Sequence, residues 1–261
     1  MIQLDNIRGY FPEHYRNNRL FDRYMLKEFI QLLILDYLVK TPWYRKMTFI
    51  GGTCLRLTKG IDRFSEDLDF DCKDFSQDDF LAMTNDVLRM LQRFGLKVEA
   101  RDKTSSLLVT FRRSIHFPGL LFDIGLSGYR NERFLIKIEA QDQGIEYDTA
   151  IKTVKGCGFL FHVRVPADAV LCAMKVAAVL NRTKGRDLYD LMFLLPFSPP
   201  DYQFLQLRCG IGDAGTLRIA MNTLIEKTDL RMKMKDFEHL LMVPDQNLKV
   251  LRFQEFIETH L

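Results

Sequence analysis

A chain of 261 residues, 47% hydrophobic and 27% charged, can bury one large core or two smaller ones, and its composition excludes a long disordered, fibrous or membrane-spanning chain. The net charge of +3 permits a nucleic-acid partner without requiring one. Five dispersed cysteines (Cys54, Cys72, Cys157, Cys172, Cys209) and five scattered histidines show no ligand spacing, so neither a disulfide framework nor a zinc site is expected, and a reducing cytoplasm fits best.

No basic-then-apolar leader opens the sequence, and the apolar run Leu32 to Leu35 is far too short to span a bilayer, so no membrane partner is expected. Residues 21–39 carry apolar side chains near the 3.6-residue period, which predicts an amphipathic helix packed on a sheet. Thr41-Pro42 ends it, and Met47 to Ile50 is a buried strand entering a Gly51-Gly52 turn. Thr53 to Lys59 is a short helix stopped by Gly60, with Thr53 able to cap it.

Asp67-Leu-Asp-Phe-Asp71 alternates polar and apolar residues, so on a strand Asp67, Asp69 and Asp71 share one face while Leu68 and Phe70 enter the core. Ser76 with Asp79 resembles the N-cap of a helix running from Phe80 to Phe94, stopped by Gly95. Strands are expected over 106–113, 119–126, 134–140 and 159–165, with antiparallel pairing between neighbours. Helices follow over 166–182, 186–195, 214–227 and 245–260. Strands first and helices second predict an α+β fold with a boundary near Pro166, dividing a core of residues 1–165 from a helical lobe of 166–261.

The chemistry concentrates at the Gly51-Gly52-Thr53 turn and the Asp67-x-Asp69 pair. A helix start with small residues presents backbone N–H groups and a positive dipole end to phosphate oxygens. Two carboxylates two apart on one strand face can hold magnesium, which takes one or two protein carboxylates plus phosphate oxygens and water. Either element alone is common, but together they outline a nucleotide-and-metal site.

These residues also carry a resemblance. Gly51-Gly-Thr-Cys-Leu-Arg56, Arg63-Phe-Ser65-x-Asp67-x-Asp69-Phe70, and the helical block from Ala173-Met-Lys175 to Arg186-Asp187-Leu-Tyr-Asp190-Leu are similar to the motifs of the AbiEii/AbiGii-like nucleotidyltransferase toxins, which include the MenT enzymes. Ile50 stands where many relatives have lysine. The resemblance implies a polymerase-β-like nucleotidyltransferase sheet with flanking helices, completed at its cleft by the C-terminal helical lobe. It implies Asp67 and Asp69 as metal ligands and catalytic acids, Lys175 as a triphosphate contact, Asp187 as a further catalytic acid, and Ser65 as part of the nucleotide site with Gly51, Gly52 and Thr53.

Asp123 and Glu139 are the alternatives for a third carboxylate from a neighbouring strand. Asp190 pairs with Arg182 or Arg186, either orienting the site or lying on the helix surface, and Arg56 either holds an acid or phosphate or lies on the surface of its helix. The implied activity is Mg2+-dependent transfer, with Mn2+ as a substitute, of a nucleoside monophosphate from a nucleoside triphosphate to the 3′ end of tRNA. A cognate antitoxin is the further implied partner. The alternatives are transfer to a small molecule or a protein, and a non-catalytic RNA- or protein-binding module on the same scaffold.

Overall fold

The computed structural model describes residues 2–102 and 110–261. The chain forms two compact units, one of Met1–Gly60, Phe64–Gln143 and Ile151–Val165, the other of Ile61–Arg63, Gly144–Ala150 and Pro166–Leu261.

In the first unit, short helices α1 (Leu4–Arg8) and α2 (Glu13–Arg16) precede α3 (Asp22–Leu38). α3 is not the half-exposed helix its periodicity suggests. Its apolar residues Met25, Leu26, Ile30, Leu32, Ile34, Leu35 and Leu38 are buried, and so are Lys27, Glu28 and Gln31. Each of these polar groups has a partner, as burial demands. Lys27 Nζ meets Glu66 Oε1 at 2.8 Å, Glu28 Oε2 accepts from Arg56 Nε at 2.9 Å, and Gln31 Nε2 donates to the Ser65 carbonyl at 3.2 Å. The helix therefore braces both motif segments.

Strands β1 (Met47–Ile50), β2 (Leu68–Cys72), β3 (Glu99–Asp102), β4 (Phe111–His116) and β5 (Leu135–Gln141) form one sheet in the order β1-β2-β5-β4-β3. The β2–β5 pair is parallel and the others are antiparallel, and β4 with β5, among the strands expected to pair antiparallel with a neighbour, does so. Phe49, Phe70, Ile115, Ile136 and Ile138 are buried, and Arg113 of β4 reaches Thr84 Oγ1 at 2.8 Å and Asn85 Oδ1 at 2.7 Å on α5 (Gln77–Arg93). Alternate residues, including Asp69, Lys137, Glu139, Arg112 and Ser114, project to the opposite face, since strand side chains alternate. α4 (Gly51–Lys59) follows β1 directly. α5 starts with the expected capping box, Ser76 Oγ accepting from Asp79 N and Asp79 Oδ2 from Ser76 N.

The strand expected over 106–113 is described from Phe111 onward, and residues 106–109 lie outside the described residues. The strand expected over 119–126 is instead the short helix α6 (Leu120–Asp123). Gly119 at φ +70° and Gly125 at φ +77° bend the backbone at either end, and the Leu121 carbonyl accepts from Leu126 and Ser127. A run of three apolar residues, Leu120 to Phe122, satisfies either periodicity, and the flanking turns decide it. β6 (Thr149–Gly156), not anticipated, forms a two-stranded sheet with β7 (Phe159–Pro166) through Cys157 and Gly158, both at positive φ as tight hairpin turns require.

The second unit holds α7 (Asp168–Arg182), α8 (Gly185–Leu194), α9 (Tyr202–Cys209), α10 (Ala214–Glu226), α11 (Leu230–Lys235) and, after a 3-10 stretch at Gln246–Arg252, α12 (Phe253–His260). α9 and α11 are additions, and the helix expected from Asp245 is 3-10 for its first half. Gly185 opens α8 where a Cβ would stand 1.8 Å from the Lys233 carbonyl oxygen of α11, so the two helices meet backbone to side-chain-free backbone. Among the described residues no helix is long and apolar enough to cross a membrane.

Candidate active site

β1 ends at Ile50 in extended conformation and Gly51 turns at φ +82° into α4. Asp69 of β2 pairs in register with Ile50, and its carboxylate occupies the space beside Gly51. A Cβ on Gly51 would lie 2.2 Å from Asp69 Oδ2. The glycine is thus required twice, for its backbone angle and for the carboxylate at the positive end of α4. Thr53 does not cap α4, contrary to expectation. Its buried hydroxyl donates to the Asp67 carbonyl and ties the helix to the residue before β2.

Asp67 Oδ2 stands 3.5 Å from Lys137 Nζ of β5. Asp69 is in register with Glu139 of the same strand, and Glu139 pairs with Arg112 of β4 at 2.7 Å. The open sheet face therefore carries acids on β2 flanked by alternating charge on β5 and β4. Burial pushes the Asp67 carboxyl above its ordinary value, opposed by Lys137 and reinforced by Glu139 and Glu66.

This donor chemistry suits a hard divalent cation. Asp67 and Asp69 offer carboxylate oxygens only, the ligand type such a cation prefers. Among the described residues no three His, Cys, Asp or Glu side chains gather into a metal cluster, so substrate oxygens and water would have to complete a shell begun by two carboxylates.

Of the two candidates for a third acid, the register places Glu139 beside Asp69. Asp123 is not on a strand: it closes α6, 41% exposed, 3.3 Å from Arg130 and 3.9 Å from Lys97. Asp71 is buried and accepts from Gln143 N at 2.8 Å, which makes it a structural strand-end acid.

In the second unit the motif residues form a buried charged cluster. Arg63 Nε and Nη2 donate to Asp190 Oδ1 and Oδ2, each at 2.6 Å, and Lys175 Nζ meets Asp190 Oδ2 at 2.7 Å. Asp190 is fully buried, so its expected pairing with Arg182 or Arg186 is corrected: its partners are Arg63 and Lys175. Burial alone would raise the Asp190 carboxyl, but Arg63 and Lys175 hold it below its ordinary value. Asp187, in the first turn of α8, is also buried and accepts two bonds from Arg182 at 2.8 Å. Beside them the Tyr189 hydroxyl donates to Asp62 Oδ1 at 2.6 Å.

Sequence reasoning had no role for Arg63, Arg112 or Lys137. Arg63 sits inside a motif, and an arginine opening such a motif could have been matched to a buried acid. Lys137 and Arg112 stand on alternating strands and had no local signal.

A mixed sheet whose Gly-Gly turn nests a paired-aspartate strand, with a helical second unit, is the architecture of nucleotidyltransferases. Solved structures share it: MenT4, a nucleotidyltransferase toxin from Mycobacterium tuberculosis H37Rv, is 16% identical with a TM-score of 0.63 and covers 100% of this chain and 91% of its own. JHP933 from Helicobacter pylori is 20% identical with a TM-score of 0.58, covering 90% of each chain. No curated protein sequence matches the chain. The sequence profile described as "Nucleotidyl transferase AbiEii toxin, Type IV TA system" matches residues 33–247, and the chain belongs to this family of nucleotidyltransferase toxins.

Proposed function

We propose that this nucleotidyltransferase moves a nucleoside monophosphate from a nucleoside triphosphate to the 3′ end of tRNA in the cytoplasm, using Mg2+ or Mn2+ at Asp67 and Asp69. A cognate antitoxin is its proposed partner, in keeping with a family of type IV toxin–antitoxin systems. The observation that carries the reading is the Asp69 carboxylate nested against Gly51 at the start of α4, with Asp67 beside it. Support for an RNA acceptor comes from the motif resemblance and the net charge of +3.

In the proposed reaction an acceptor hydroxyl loses its proton to solvent as its oxygen bonds to the α-phosphorus, the α–β phosphoanhydride bond breaks, and pyrophosphate departs. A divalent ion held by Asp67 and Asp69 would supply neutralisation of the charge that develops during transfer. Backbone N–H groups of Gly51, Gly52 and Thr53 receive phosphate oxygens, and Gly51 lets them approach closely. Ser65 lies in the same nucleotide site, its segment held by Gln31. Lys175 is assigned to the triphosphate and Asp187 is the further catalytic carboxylate, with Asp190 orienting Lys175 and Arg182 orienting Asp187. Glu139, in register with Asp69, is the proposed further acid, outside the two-carboxylate metal site and paired with Arg112.

The test supplies the protein with each α-labelled nucleoside triphosphate, Mg2+ and total tRNA. Label entering tRNA from one triphosphate, abolished by Asp69→Asn, is the expected result. Label on a protein or small molecule instead would overturn the acceptor, and no transfer to any acceptor would overturn the activity assigned to the site.

A further inference from the structure

Lys137 is a cation of the open sheet face beside the paired aspartates, and the reading above leaves it without a task. It belongs to β5, where Leu135, Lys137, Glu139 and Gln141 alternate with buried Ile136, Ile138 and Ala140. Its ammonium approaches Asp67 Oδ2 to 3.5 Å while the side chain stays 37% exposed. Its antiparallel neighbour on β4 is Ser114, a small residue that leaves the stem room to turn.

A divalent cation at Asp67 and this ammonium would share one carboxylate at a few ångströms, and like charges at that distance repel. An exposed lysine stem has the rotamer freedom to leave, and the ammonium then needs a new anion within reach. The phosphate oxygens of a nucleotide at the same carboxylates are that anion.

We propose that Lys137 is an exchangeable counter-ion: it neutralises Asp67 while the metal is absent, yields to the metal, and then contacts a phosphate of the bound nucleotide. This rests on the metal reading of Asp67 above, and it goes beyond that reading by adding a residue and a sequence of events. Lys137 competes with the metal in the empty protein and assists the nucleotide in the loaded one. Removing its charge therefore has opposite effects on the two ligands, which a merely structural lysine would not produce.

The experiment titrates Mn2+ alone into the nucleotide-free protein, reading the free-ion signal by electron paramagnetic resonance, for wild type, Lys137→Met, Lys137→Arg and Asp67→Asn. Lys137→Met, which keeps the stem and loses the charge, is expected to bind Mn2+ about tenfold more tightly, and Lys137→Arg to stay near wild type. In turnover Lys137→Met is expected to raise KM for the nucleoside triphosphate about tenfold while kcat changes much less. Mn2+ affinity unchanged or weakened in Lys137→Met overturns the counter-ion, and an unchanged KM overturns the phosphate contact. If Asp67→Asn binds Mn2+ like wild type, it is the placement of the metal at Asp67 that fails.

Discussion

The carboxylate of Asp69 fills the place a side chain on Gly51 would need. A Cβ there would meet Oδ2 at 2.2 Å, and φ at Gly51 is +82°. Gly51→Ala is thus expected to move Asp69 as well as strain the turn, and to lower nucleotidyl transfer at least about tenfold. Gly60 provides the comparison, with φ +72° and nothing within 4 Å of the point a Cβ would occupy. Gly60→Ala should cost about 1 kcal/mol of stability and leave transfer intact. Equal losses of activity in both variants would show that backbone strain alone is responsible.

Asp190 is the shared counter-charge of Arg63 and Lys175. Asp190→Asn removes that charge from between two buried cations, and urea denaturation should show a loss of about 3–5 kcal/mol at neutral pH. A change below about 1 kcal/mol would mean that the cluster relaxes without it.

The same cluster has a defined pH response. The Asp190 carboxyl is held below its ordinary 3.8 in the folded chain, so its stabilisation is complete above 3.8 and is lost as pH falls through the lower folded value. The stability gap between wild type and Asp190→Asn should stay constant from about pH 7 to about pH 5 and narrow only below about 3.8. Chemical denaturation across that range measures it.

Thiol reactivity should divide the cysteines by burial. Cys54, Cys72, Cys157 and Cys172 are buried, and burial pushes Cys72, Cys157 and Cys172 up to about 12. Cys209 is exposed. A thiol-disulfide reagent at about pH 8 should titrate one group promptly in the native protein and the remaining four only in denaturant.

Gly185→Ala drives a methyl into the Lys233 carbonyl at 1.8 Å, and both atoms are held by backbone. Unfolding midpoints should report a loss of about 3 kcal/mol or more, concentrated in the second unit, where α8 meets α11. A near-neutral result would mean that α11 can shift freely.

Legibility from the sequence followed the range of the interaction. The strand Met47 to Ile50 and the helices expected over Thr53 to Lys59 and Phe80 to Phe94 have strong local cues, namely a Gly-Gly turn, a Gly stop and a capping box, and the elements lie there, with α4 starting earlier at Gly51 and α5 at Gln77. At 119–126 the cue was a short apolar run, and two glycines at positive φ turned it into a helix end. At 149–156 the cue was the Cys157-Gly158 turn, and residue type does not reveal a positive φ at a cysteine.

Within the candidate site, Asp67 and Asp69 were legible because alternation on one strand is local. Which of Asp123 and Glu139 stands beside Asp69 was not, because it depends on which strand lies next to β2. Asp190 shows the same limit: Arg182 and Arg186 were near in sequence, but its partners are Arg63, distant in sequence, and Lys175, fifteen positions earlier.

The brace that α3 provides changes how variants in the motifs should be interpreted. Arg56 and Glu66 are occupied with Glu28 and Lys27, and the Ser65 carbonyl with Gln31, all within the protein's own contacts and partly buried. A screen that scores only growth or turnover would register Arg56→Ala and Lys27→Ala as equally inactive and credit the first with handling substrate. Charge-reversal pairs such as Glu28→Arg with Arg56→Glu would separate scaffolding from chemistry, because a swapped brace can restore function and a substrate contact cannot.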